Sequence, residues 1–101
     1  MKKIKIEDWK VVIEGKDRNE NIITVLSALI SMRDPNTLPK GFAKAQMFSR
    51  FLTAFKEAET TKELILDDED YSFFKEMIKT DTPALWGANQ NIMKAIENFN
   101  N

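Results

Sequence analysis

Residues 41–59, GFAKAQMFSRFLTAFKEAE, decide how the rest of this chain must be arranged. Wound at about 100° per residue, Ala45, Met47, Phe48, Phe51, Leu52, Phe55 and Ala58 fall in one apolar arc about 160° wide, while Gln46, Ser49, Arg50, Thr53 and Glu57 face away. A helix lying on the surface of a core needs a stripe little wider than about 100°. The wider arc predicts a central helix that touches several neighbours at once, with the three phenylalanines of the arc as the largest contribution to a shared core. Packing accounts for such an arc better than a ligand or cofactor groove does.

Working outward, residues 34–40, DPNTLPK, carry two prolines and read as a loop, so any preceding helix stops before Pro35. Ile22, Val25, Leu26, Leu29 and Ile30 share one helical face, which predicts a helix over about 22–33 capped by Asn21 or Asn19. Ile22, Ile23, Thr24 and Val25 also have strand propensity, so the start of that helix competes with a returning strand. Nearer the amino terminus, Ile4 and Ile6 alternate with lysines, and Trp9, Val11 and Ile13 alternate with Lys10 and Glu14. The parity slips between Ile6 and Trp9. Since a one-residue slip turns every side chain to the other face, residues 7–8 must hold a bulge, a bend or a tight turn between two short strands. Residues 15–20, GKDRNE, read as a turn.

On the far side of the central helix, residues 60–63 break the pattern, and Leu64, Ile65 and Leu66 form an apolar run feeding the next helix. Asp67 is expected to cap that helix, with Asp70 completing a capping-box-like arrangement and Leu66 stapling onto Tyr71. Phe73, Phe74, Met77 and Ile78 supply its apolar face. Asp81 or Thr82 is expected to cap a last helix with Pro83 in its first turn. Leu85, Ala88, Ile92, Ala95, Ile96 and Phe99 form its stripe, Trp86 and Met93 stand beside it, and Gly87 weakens the first turn. Residues 98–101 should fray. The expected architecture is a single α+β domain over 1–101, with a small amino-terminal antiparallel β element, a hairpin, packed on about four helices.

A chain of 101 residues suffices for one domain that buries roughly two thirds of its unfolded surface. With 15 basic and 16 acidic side chains the net charge is −1, which is not the global field of a nucleic-acid or anionic-membrane binder. There is no cysteine, so disulfides, thiolate metal sites and cysteine nucleophiles are excluded. Histidine is absent too, which removes the commonest general base, the commonest metal ligand and the usual partner of a serine nucleophile. Carboxylates, lysines and the single tyrosine, Tyr71, remain for chemistry. The start MKKIKIEDWK lacks the apolar region of a secretory signal, and the longest uncharged run, residues 21–32, falls short of the roughly 20 residues of a membrane span. A soluble, cytoplasmic chain is expected.

The acidic run Asp67, Asp68, Glu69 and Asp70 lacks the glycine and distal glutamate of an EF-hand loop, and carboxylates at a helix start are explained by capping and the macrodipole. Asp67→Ala is therefore expected to cost about 1 kcal/mol through the cap. Residues 33–56 carry Arg33, Lys40, Lys44, Arg50 and Lys56 against Asp34 alone, whereas residues 57–70 carry seven acids against Lys62. Either the two segments face one another or solvate the surface, or the basic one forms a face for nucleic acid. The latter needs exposed aromatics for stacking, and here the aromatics lie on the opposite side of the helix. No phosphate-cradling or nucleophile motif occurs, and three glycines cannot build the usual loop. No catalytic residue, cofactor or metal is expected.

The most plausible exposed apolar surface combines Trp86 and Met93 with Leu85 and Phe99, because the last helix has more large apolar residues than one stripe requires. The competing reading has Trp86 closing the core over the amino-terminal strands. The whole layout, with its entry Leu64, Leu66, Asp67, Asp68, Asp70 into a helix bearing Phe74 and Ile78, resembles small uncharacterised proteins encoded in tailed-bacteriophage and prophage genomes. The resemblance implies a viral or mobile-element origin and no catalytic residue; localisation would then be the host cytoplasm. The expected function is a non-enzymatic protein-interaction module whose partner is another protein, of the host or the virion. A homo-oligomeric virion or assembly component is the alternative, and a weak nucleic-acid-binding protein the second alternative. Nucleic acid is disfavoured, and no membrane partner is expected.

Overall fold

A computed structural model describes all 101 residues. Strands β1 (Lys2–Lys5), β2 (Trp9–Ile13) and β3 (Lys16–Glu20) lead into helices α1 (Ile22–Met32) and α2 (Phe42–Thr61), then strand β4 (Glu63–Leu66) and helices α3 (Asp68–Asp81) and α4 (Gln90–Asn100). Short 3₁₀ turns occupy Pro35–Thr37 and Ala84–Ala88. The fold is α+β with antiparallel strands at the amino terminus and four helices. The strands form two separate ribbons, β1–β4 and β2–β3, in place of one hairpin.

Each boundary has a local cause. The competition at residue 22 is settled by a reciprocal cap: the Asn21 side chain accepts from the Ile23 N–H at 2.9 Å, and the Thr24 hydroxyl accepts from the Asn21 N–H at 3.1 Å. Two backbone donors that a strand would leave unpaired are thereby satisfied, and α1 begins where expected. At the end of α2, Lys62 takes the left-handed conformation with φ of 61° and donates its N–H to the Ala58 carbonyl. This reversal turns the chain directly into β4. Residues 63–66 then alternate exposed and buried, and pair antiparallel with β1 from Lys2 opposite Leu66 to Lys5 opposite Glu63. The run expected to feed α3 is thus a strand.

The ladder is prolonged by the Ile6 N–H to the Lys62 carbonyl at 2.9 Å, after which residues 7–8 turn the chain into β2, as the parity slip requires. Residues 15–20 are mostly not the expected turn. The turn is Glu14–Gly15 alone, both with positive φ (52° and 76°), the geometry of a type I′ hairpin, and residues 16–20 return as β3.

The core is one cluster drawn from β1, α1, α2, β4, α3 and α4 and from Ile6. Phe51 lies at its centre, fully buried, with ring centroids of Phe48 at 4.7 Å, Phe74 at 4.8 Å, Phe55 at 5.6 Å and Phe73 at 6.1 Å. The buried face of α2 is Met47, Phe51, Phe55 and Ala58, narrower than the expected arc; Ala45 is exposed and Leu52 is 55% exposed. The last helix also starts later than expected. Pro83 caps the 3₁₀ segment and Gly87 lies within it, and Asn89 caps α4 by accepting from the Ile92 N–H at 3.1 Å. Residues 98–100 remain helical, anchored by buried Phe99.

Candidate functional site

The four residues expected to form one surface differ in burial. Leu85 projects from the 3₁₀ turn with 84% of its surface exposed. Trp86 is half-buried and packs against the core, and Met93 on α4 is also half-buried. Phe99 is fully buried, because Tyr71 on α3 covers it: the rings lie 5.0 Å apart and the Tyr71 hydroxyl donates to the Phe99 carbonyl at 2.7 Å. Burial also pushes the Tyr71 hydroxyl above its ordinary pKa. Phe99 is therefore a support and not a part of any surface. The accessible remainder is Leu85 with the outer parts of Trp86 and Met93.

The seat of Leu85 is fixed from both ends. The Trp86 N–H donates to the Pro83 carbonyl at 3.0 Å, and the Asn89 N–H donates to the Trp86 carbonyl at 2.9 Å. Thr82 closes the end of α3 by donating its hydroxyl to the Ile78 carbonyl.

The acidic run does something other than cap. Asp70, the one buried charged residue, receives a bidentate pair from Arg50, Nε to Oδ2 at 2.9 Å and Nη2 to Oδ1 at 2.6 Å. Asp67 makes no capping hydrogen bond; its Oδ2 lies 2.9 Å from Arg50 Nε. Glu69 completes the set, 3.7 Å from Arg50 Nη2 and 3.6 Å from Lys44 Nζ. Hydrogen bonding to Asp70 in the first place, and then the neighbouring carboxylates, raise the Arg50 pKa further. Arg33 pairs with Asp81 at 3.7 Å. The basic segment and the acidic run thus meet across the α2–α3 contact, leaving Lys40 and Lys56 without ion pairs.

A second polar joint sits at the β1–β2 corner. Asp8 accepts from the Asn21 amide at 2.9 Å and from Lys62 Nζ at 3.0 Å, so one carboxylate ties together the corner, the α1 cap and the end of α2. The Asn21 hydrogen bond first, then Lys62, hold its carboxyl below the usual range. Beside it, a groove of about 400 Å³ runs between the corner and α4, walled by Lys5, Glu7, Trp9, Lys94 and Glu97. Its charges are mixed in sign, and the Trp9 Nε1 is buried without a hydrogen-bond partner. No group of three or more carboxylates is arranged to hold a metal ion, and no helix is long and apolar enough to cross a membrane.

Sequence reasoning missed the Arg50 cluster as a unit, although the facing charges were visible as composition. Comparison with protein-family models, with curated proteins and with solved structures finds no match to this chain in any of the three.

Proposed function

We propose that this chain is a non-enzymatic protein-interaction module that presents Leu85, together with the accessible parts of Trp86 and Met93, to another protein. The observation that carries the reading is Leu85 itself, the most exposed of the large apolar side chains, held on a short turn whose next residue is anchored in the core. An apolar anchor on a rigid seat loses little conformational entropy on docking, which is what a binding hot spot requires. The three titratable groups with shifted pKa values, Asp8, Arg50 and Tyr71, each hold a tertiary contact. That assignment supports a structural use of the polar residues over a catalytic one. The resemblance in layout to small phage-encoded proteins directs the search for the partner to a bacterial host or a virion.

The test uses the intact protein and Leu85→Glu as parallel baits in a bacterial lysate, followed by titration of any captured protein against both. The expected result is a partner bound by the wild type and weakened at least about tenfold by the substitution, roughly 1.4 kcal/mol, with unchanged circular dichroism. Equal binding by both baits, or no saturable partner, would overturn the reading.

A further inference from the structure

The β2–β3 ribbon has a feature independent of the Leu85 face. In a two-residue type I′ hairpin the residues flanking the turn are a hydrogen-bonded pair, and such pairs alternate along the ladder. With Ile13 opposite Lys16, Val11 opposite Arg18 and Trp9 opposite Glu20, those six residues bond across the ribbon. The N–H and C=O groups of Lys10 and Val12 consequently point away from β3. They have no other partner, and both residues are exposed, Val12 by 69%. This is an open strand edge.

Edges of this kind are usually guarded by charge. β1 carries Lys2, Lys3 and Lys5, and β3 is KDRNE throughout. The β3 edge pairing with a second copy by a two-fold axis centred on Arg18 would set Arg18 against Arg18. The β2 edge carries a single charged strand residue, Lys10.

From this geometry we infer that β2 pairs antiparallel with β2 of a second copy of this chain, joining the two ribbons into one four-stranded sheet. The charges select the register. Outward-facing backbone groups must meet outward-facing groups, and centring the pair on Val12 does so while placing Lys10 opposite Glu14 twice and Val11 opposite Ile13 twice. Centring on Val11 sets Asp8 against Glu14, and centring on Lys10 sets the two lysines against each other. Only the Val12 register is complementary in both charge and polarity. Two short edges bury well under the ~1,200 Å² of a standard interface, so the dimer dissociates on the order of 100 μM.

The experiment is sedimentation equilibrium of the full chain from about 10 μM to about 1 mM, a range bracketing that constant. Val12→Pro removes an outward N–H and leaves the internal ladder whole. Lys10→Glu and Glu14→Lys each create like-charge pairs, and the double variant Lys10→Glu/Glu14→Lys restores them to opposite sign. The expected result is a wild-type dimer, at least tenfold weaker in Val12→Pro and in each single charge variant and recovered in the double, with Leu85→Glu unchanged. A monomer across the range, indifference to all three single variants, or a double variant no better than the singles would overturn the inference. Loss of the dimer in Leu85→Glu would overturn it as well, by moving self-association to the face assigned to a different protein.

Discussion

Arg50 and Asp70 show what a single side chain is made to do in this fold. Asp70 is 1% exposed and lies in the first turn of α3, where an uncompensated carboxylate would cost several kcal/mol; Arg50, 41% exposed, brings the compensating charge from α2. Arg50→Met should therefore lower the midpoint of urea unfolding, though by less than the loss of a fully buried partner would, because water reaches the guanidinium side. The double variant Arg50→Met/Asp70→Leu should recover most of that loss, since apolar replacement of both partners removes the buried charge. A double variant as unstable as the single would show that Asp70 is held by something other than Arg50. Asp8 and Tyr71 set the pH limits. Because the Asp8 carboxyl is lowered, its contribution is complete above the unfolded value near 3.9 and is lost as pH falls through the lower folded value. Asp8→Asn should flatten the stability profile below about pH 4 and leave its slope near neutrality unchanged. Tyr71 is raised, so its contribution is complete below the unfolded value near 10 and is lost as pH rises through the folded one. Tyr71→Phe should lose about 1 kcal/mol at neutral pH with the hydrogen bond to Phe99, and should lose less than wild type on titration to alkaline pH.

At the scale of elements, the local cap of α1 was legible, whereas the equally local Asn89 cap of α4 was masked by Pro83, which suggested an earlier start. Asn21 and Thr24 stand three residues apart, and the helix they open is where their spacing places it. Asp67 has the same local signature but a neighbour 17 residues away claims its carboxylate, and no local rule foresees Arg50. The two helix starts should separate accordingly. Asn89→Ala removes a working side-chain cap from α4 and should cost about 1 kcal/mol. Asp67→Ala removes one exposed partner of an arginine that keeps another, and should cost no more than about 0.5 kcal/mol in the same unfolding assay. Strands β3 and β4 were hidden for opposite reasons. Residues 16–20 contain no apolar residue to alternate, and only the positive φ at Glu14 and Gly15 marks the hairpin. Residues 63–66 alternate in burial but read in sequence as an apolar run, because a four-residue strand acquires meaning from its partner, and that partner is β1, more than half the chain away. The helical wheel of α2 misplaced Leu52, and the stripe of the last helix misplaced Leu85, for a related reason. Periodicity orders residues around an axis and leaves open on which side the neighbours stand.

For the whole molecule, the decisive asymmetry is between its two ribbons. The β1–β4 pair buries Ile4, Leu64 and Leu66 in the core and joins residues more than half the chain apart, so it cannot open without exposing that core. The β2–β3 ribbon contributes no buried residue; Trp9 alone packs against the cluster, half-buried. An isolated two-stranded ribbon is marginal in water. Native-state hydrogen exchange at low protein concentration should consequently divide the strands: amides bonded in β1–β4 exchange with the free energy of global unfolding, and those of Val11 and Ile13 exchange through local opening at least about 2 kcal/mol cheaper. Equal protection in both ribbons would mean that the hairpin is part of the global unit and that Trp9 holds it more firmly than its half-burial implies. The Val12 amide supplies the sharper test. It faces away from β3 and exchanges freely in a monomer, so protection at Val12 that rises with protein concentration, together with rising protection at Val11 and Ile13, is the signature expected when a second ribbon closes on the β2 edge.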